Sequence, residues 1–243
     1  MADLALHNSL ITEYVNYIFQ DSYDHIKIKK LFKFIQTFPV QTNHSSFFSD
    51  PATASQLVDP LIEIIDSCSD DELVRNTTLK FMLVDTHANV NYITLNINNN
   101  YEKLKLKYGG TYPNATDKNK AQQHIKALLS DANWIIITDG YIANARQWEK
   151  NKNTIADIVP MKNLNLKIIG ADKDSQRNGI NESEKNELKL LSSNKWTVQV
   201  EQLNHNIHDR YIETDKLKIL LSSGLDNLSS TSTKDFTYVI AIK

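Results

Sequence analysis

His208-Asp209-Arg210-Tyr211-Ile212-Glu213-Thr214-Asp215, followed by Lys216-Leu217-Lys218-Ile219-Leu220-Leu221 and then Ser222-Ser223-Gly224-Leu225-Asp226-Asn227, is the stretch that decides the fold of this chain. Side chains alternate between the two faces of a β-strand, so His208 and Arg210 fall on one face and Asp209 and Tyr211 on the other. The apolar run Leu217–Leu221 predicts a return strand, with Asp215-Lys216 as a two-residue turn. That turn sets the register: position 214 faces 217, 212 faces 219, 210 faces 221 and 208 faces 223.

The face so built carries an imidazole, a guanidinium and the Ser223 hydroxyl, and Gly224 lets a ligand approach the backbone. An imidazole and a permanent cation on one face suit a phosphate. The alternative is an exposed hairpin bearing ordinary surface polar groups. The spacing His-x-Arg-x4-Asp-x6-Ser-Ser, carried by His208, Arg210, Asp215, Ser222 and Ser223, resembles the phosphodiesterase signature of the phospholipase D superfamily, with Arg210 where that family has lysine. It is more similar still to the phospholipase D-like domain at the C-terminus of MIT-domain proteins and in related bacterial proteins. There a His-Asp-Arg run and a later Gly-Leu-Asp occur, as in His208-Asp209-Arg210 and Gly224-Leu225-Asp226. The upstream Asp-Pro-Tyr-Ile element of that subfamily has a counterpart in Asp139-Gly140-Tyr141-Ile142.

The resemblance implies His208 as nucleophile, a second histidine as the acid for the leaving oxygen, and Arg210 and Ser223 as ligands of the phosphate oxygens. Ser222, Gly224, Asn227, Asp139 and Tyr141 are expected to bind phosphate or support the site. Asp209, Asp215 and Asp226 are expected to be structural, Asp215 in the turn or an ion pair. One motif supplies one histidine, so the two-histidine reaction requires a symmetric homodimer. Arginine retains a bidentate grip on phosphate without reproducing the compact ammonium of lysine. No metal and no other cofactor is implied.

Outward from this hairpin, strands and helices alternate. Leu79–Asp85 and Tyr92–Ile97 predict strands, because β-branched and aromatic residues replace helical periodicity. Gly109-Gly110 and Tyr112-Pro113-Asn114 mark a loop. A helix over Asp117–Ser130 leads to Trp134–Thr138, a continuous apolar run that predicts a buried central strand. Asp139-Gly140-Tyr141 follows at its C-terminal end, where open α/β sheets collect ligands. A helix from Asn144 to Ile158, a strand at Leu164–Gly170, a helix opened by Asn181, and strands at Trp196–Glu201 and Phe236–Ile242 complete a mixed α/β sheet.

Residues 4–75 read as helical. Leu6, Leu10, Ile11, Tyr14, Val15 and Ile18 recur at helix spacing, as do Ile26, Ile28, Leu31, Phe32, Ile35 and Phe38. Asp50-Pro51 predicts the start of a third helix carrying Leu57, Val58, Leu61, Ile62 and Ile65. The expected organisation is therefore a helical module over 1–75 and a phospholipase D-like α/β domain over 76–243. Lys27, Lys29, Lys30 and Lys33 form a solvated helix face or a surface for a partner. Asp85-Thr86-His87 reads as a turn rather than a metal site.

The chain has 243 residues, enough for a sizeable core. Its 27 Lys+Arg and 29 Asp+Glu leave a net charge of −2, which does not announce a polyanion binder except through a local basic face. Cys68 is the single cysteine, which excludes an intramolecular disulfide and any multi-cysteine zinc site. The N-terminus lacks a basic segment followed by a long apolar one, so a cytoplasmic protein is expected. The sequence thus predicts a metal-independent nuclease or phosphodiesterase acting as a homodimer on nucleic acid or another phosphodiester, with the N-terminal helices recruiting a protein partner in a prokaryotic antiphage or restriction setting. The alternative is a non-catalytic module binding the phosphates of anionic lipids or nucleic acid.

Overall fold

The computed structural model describes residues 2–20, 22–36, 38–43, 62–65, 68–86, 88–98, 110–171, 179–203, 208–229 and 231–243. The chain divides into two compact units, Met1–Leu106 and Lys107–Lys243.

Five parallel strands form the sheet of the first unit: β1 (Leu4–Leu6), β2 (Val40–Asn43), β3 (Ile62–Ile65), β4 (Phe81–Val84) and β5 (Ile93–Asn96), in the order β3-β2-β1-β4-β5. Helices α1 (Asn8–Phe19) and α2 (His25–Ile35) connect β1 to β2, and α3 (Asp70–Arg75) connects β3 to β4. α1 begins where the His7 ring accepts the Ser9 amide hydrogen, and α2 where the Asp24 carboxylate accepts those of Ile26 and Lys27. Ala5, Met82 and Val84 pack with Leu73 and Val74 of α3. Leu10, Ile11, Ile28, Leu31, Phe34 and Ile35 bury the apolar stripes of α1 and α2.

This unit corrects the expected helical module over 1–75 and its boundary near Asn76. β1, β2 and β3 are strands, and β4 and β5 belong to the same sheet, so the division falls after Leu106. The physical reason is the shortness of parallel strands buried on both faces. Leu4-Ala5-Leu6 fits a helix repeat as well as a strand, and Ile62–Ile65, read as helix, pairs along its length with β2. The predicted start of that third helix at Asp50-Pro51 lies outside the described residues.

The second unit contains a mixed seven-stranded sheet of β6 (Gly110–Tyr112), β7 (Trp134–Thr138), β8 (Leu164–Ala171), β9 (Trp196–Leu203), β10 (Arg210–Thr214), β11 (Leu217–Leu221) and β12 (Phe236–Ile242). The order is β6-β12-β11-β10-β7-β8-β9. β7, β8 and β9 run parallel and the remaining pairings are antiparallel. Helices α4 (Ala115–Leu129), α5 (Trp148–Ile158) and α6 (Glu182–Leu191) bury Ile125, Leu129, Ile155, Ile158 and Leu188 with Ile135, Ile137, Ile168, Ile212, Ile219 and Ile240 of the sheet.

The mixed α/β class expected from the sequence is what the structure has. Trp134–Thr138 is the interior strand the apolar run predicted, with Ile135, Ile137 and Thr138 buried but Trp134 and Ile136 only half-buried. The hairpin register holds: Ile212 faces Ile219 and Arg210 faces Leu221. Asn181 opens α6, as the sequence predicted, and does so through a reciprocal cap with Glu184. Gly110–Tyr112, read as loop, is an edge strand because it pairs with Phe236–Tyr238, a distant partner no local pattern reveals.

Candidate functional site

The site forms where three strand ends meet. β10 lies between β7 and β11, with Tyr211 opposite Thr138 on one side and Arg210 opposite Leu221 on the other. Asp139 follows the C-terminal end of β7, Arg210 begins β10, and Ser222-Ser223-Gly224 continue from β11. Antiparallel pairing therefore delivers residues some 70 to 85 positions apart to one edge of the sheet.

Asp139 is 1% exposed. Its Oδ1 accepts the Tyr141 amide hydrogen at 2.9 Å and faces the Arg210 Nε at 3.2 Å. The Arg210 guanidinium also lies 5.6 Å from the centroid of the Tyr141 ring. Burial pushes the Asp139 carboxyl above its ordinary pKa, and nearby Asp226 adds to the rise. The Tyr141 amide and Arg210 oppose this without offsetting it, so a single cation beside Asp139 does not compensate fully for its desolvation.

Gly224 has φ −63° and ψ 159°, so its backbone is open to any residue. Space is what demands glycine: a Cβ there would lie 2.5 Å from Asp226 Oδ1 and 3.3 Å from Asp139 Oδ2. Asp226 Oδ2 accepts a hydrogen bond from Gln147 Nε2 at 3.4 Å. Asn227 is buried, with its Oδ1 accepting the Ser232 hydroxyl at 2.9 Å and its amide donating to the Gly224 carbonyl at 3.0 Å. Two buried polar atoms of this neighbourhood have no hydrogen-bond partner, Asp139 Oδ2 and Ser223 Oγ.

The structure thus brings together Arg210, Asp139 and Tyr141, with Gly224 and Asp226 against Asp139. His208 and Asp209 are exposed and precede β10, so the strand alternation that placed His208 beside Arg210 begins one residue after Asp209. Ser222 is exposed and its Oγ accepts the Thr237 amide hydrogen at 3.0 Å, which ties it to β12. Asp215 sits in the hairpin turn, accepting hydrogen bonds from the backbone amide and side chain of Asn133 at 3.2 and 2.9 Å. Gln147 is a site residue the sequence did not single out. It stands before α5, a position that carries no local signal.

No protein-family model matches the chain, and no curated protein matches it. Among solved structures, a match of TM-score 0.26 and 12% identity joins 57% of this chain to 51% of TrmBL2, an archaeal chromatin protein whose structure shows a novel mode of DNA binding. The chain spans about half the length of that protein.

Proposed function

We propose that the second unit is a phosphodiester-binding, phospholipase D-like module whose ligand meets the edge formed by Asp139, Arg210, Ser223 and Gly224. The observation that carries this reading is the partly exposed Arg210 guanidinium at this edge, together with the buried, unpartnered Ser223 hydroxyl that follows Leu221, the strand partner of Arg210. Buried polar groups are ordinarily satisfied, and Ser223 Oγ is a hydroxyl able to donate to a phosphate oxygen. Arg210, 24% exposed, keeps guanidinium donors beyond the Nε that faces Asp139.

As an enzyme, the module would act as a homodimer. His208 attacks phosphorus and the P–O bond to the leaving group breaks, while the same histidine of a second copy protonates the departing oxygen. Water then cleaves the P–N bond, giving its proton to that second imidazole. The exposure of His208 and the engagement of Arg210 with Asp139 favour binding over turnover, so a non-catalytic module recognising anionic phosphates is the second reading.

The test compares wild type, His208→Ala and Arg210→Glu on labelled DNA and RNA, a chromogenic phosphodiester and anionic lipid vesicles, without added metal. Salt-sensitive binding lost in Arg210→Glu supports the phosphate site, and cleavage lost in His208→Ala adds the enzyme. Absence of binding to any of these probes by the wild-type protein overturns both readings.

A further inference from the structure

A sheet edge leaves a row of backbone donors and acceptors unpaired, and proteins blunt such edges with short strands, lysine, proline or bulges. Three of the four edges described here are short: β3 and β5 have four residues each and β6 has three. The fourth, β9, has eight residues and pairs with β8 without a break from Trp196 to Leu203. Its sequence, Trp196-Thr197-Val198-Gln199-Val200-Glu201-Gln202-Leu203, contains no lysine, proline or glycine and a single charge, Glu201. Among the described residues no second strand lies on its outer side. The Lys195 carbonyl turns inward and accepts the Leu164 amide hydrogen at 3.3 Å, whereas the Trp196 amide turns to the Ser192 hydroxyl at 3.1 Å. Alternation along the strand therefore points the N–H and C=O groups of Val198, Val200 and Gln202 away from β8.

The occupant that fits this edge is the same edge of a second copy. Two β9 strands related by a two-fold axis perpendicular to the sheet pair antiparallel, and the axis must pass through a residue so that each face of the sheet continues as itself. Centred on Val198, the pairing sets Val198 against itself, Trp196 against Val200 and Thr197 against Gln199. Buried Trp196 and Val198 and half-buried Val200 then meet on one face, and exposed Thr197 and Gln199 on the other. The same register sets Lys195 against Glu201, twice by symmetry, and opposite charges facing each other across strands are stabilising. Lys195 is exposed, and the Glu201 side chain, which meets Lys167 of its own chain, is 42% exposed, so both can reach across the seam. Centred on Gln199 or Val200 instead, the strands set Glu201 against Thr197 or Gln199 and offer it no cation. In the Val198 register the Val198 amide donates to the Val198 carbonyl of the other copy and the Val200 amide to its Trp196 carbonyl.

We propose that β9 joins β9 of a second copy, centred on Val198, into one continuous sheet. β7 and β9 run parallel to β8, so Asp139 and Leu203 lie at the same end of the sheet, and antiparallel joining sends the two Arg210 edges to opposite ends. This dimer does not bring two His208 side chains together, and it stands independently of the phosphate reading. The test is sedimentation equilibrium of the full chain over a concentration series, with amide hydrogen exchange followed by NMR. The wild-type chain forms a dimer that dissociates on dilution, and the Val198 and Val200 amides exchange more slowly in the dimer than in the monomer. Lys195→Glu and Glu201→Lys each set like charges against one another at both ends of the seam and weaken the dimer by about tenfold. An equimolar mixture of the two variants restores opposite charges at both ends and recovers association. The proposal is overturned if the wild-type chain stays monomeric at millimolar concentration, if its dimer leaves the Val198 and Val200 amides unprotected, or if the mixture associates no better than either variant alone. The wild-type arm decides the matter even where a variant fails to fold.

Discussion

Replacing Arg210 by methionine leaves Asp139 buried beside Gly224 and Asp226 without its cation, at nearly unchanged side-chain volume. At the 3.2 Å separation of Arg210 Nε and Asp139 Oδ1, the Coulomb attraction lost is about 5 kcal/mol at an effective dielectric near 20. Asp139 has an escape, because it can take up a proton. Its pKa in the folded state is already raised, so protonation stabilises the fold at acid pH, and that stabilisation is lost as pH rises from 3.8 through the folded value. Losing Arg210 raises the folded pKa further and extends this window upward. Holding the carboxyl neutral costs about 1.4 kcal/mol for each pH unit above its unfolded pKa, about 4 kcal/mol near pH 7 and about 1.5 kcal/mol near pH 5. Since the native pair already carries part of that cost, Arg210→Met should lose about 2–3 kcal/mol at pH 7 and about 1 kcal/mol at pH 5. Trp134, Trp148 and Trp196 all lie in the second unit, so urea titration followed by tryptophan fluorescence reads that unit. Asp139→Asn/Arg210→Met should recover most of the loss at pH 7. An equal loss at both pH values, or no recovery in the double variant, would refute the electrostatic account of this pair.

Gly224→Ala should destabilise the second unit by about 1–3 kcal/mol, because the new methyl group displaces the Asp226 carboxylate, and its tryptophan-monitored urea midpoint should fall. Asp85, held by Lys27 and Ser9 with its pKa lowered to about 2, behaves oppositely to Asp139: its contribution is present above pH 3.8 and disappears as pH falls towards 2. The full shift corresponds to about 2.4 kcal/mol, which solvent screening of the 26%-exposed Lys27 reduces to about 1 kcal/mol; hydrogen exchange in α1 and β4 at neutral pH should be faster in Asp85→Asn by that margin, and unchanged rates would contradict the assignment. Asn181→Ala removes the reciprocal cap of α6 and should cost about 1 kcal/mol, read again by tryptophan fluorescence, with Asn181→Asp largely retaining stability.

The sequence by itself determined the central architecture of the second unit. Trp134–Thr138 is long and apolar enough to be an interior strand, and the Thr214–Leu217 turn fixes the register of β10 against β11 through contacts only a few residues apart. Local signals of this kind survive in a linear string. Three parts of the molecule were decided by tertiary structure instead. Leu4–Leu6 and Ile62–Ile65 are strands because parallel neighbours satisfy their backbones, although their apolar patterns fit a helix equally well. Gly110–Tyr112 joins a sheet only through Phe236–Tyr238, more than a hundred residues away. At the candidate site, the motif made Arg210 visible, but the burial of Asp139, its ion pair with Arg210 and the contact of Asp226 with Gly224 arise from packing between β7, β10 and the segment after β11. Desolvation depends on what surrounds a group in three dimensions, so the chain order that names Asp139 and Arg210 does not state that one holds the other.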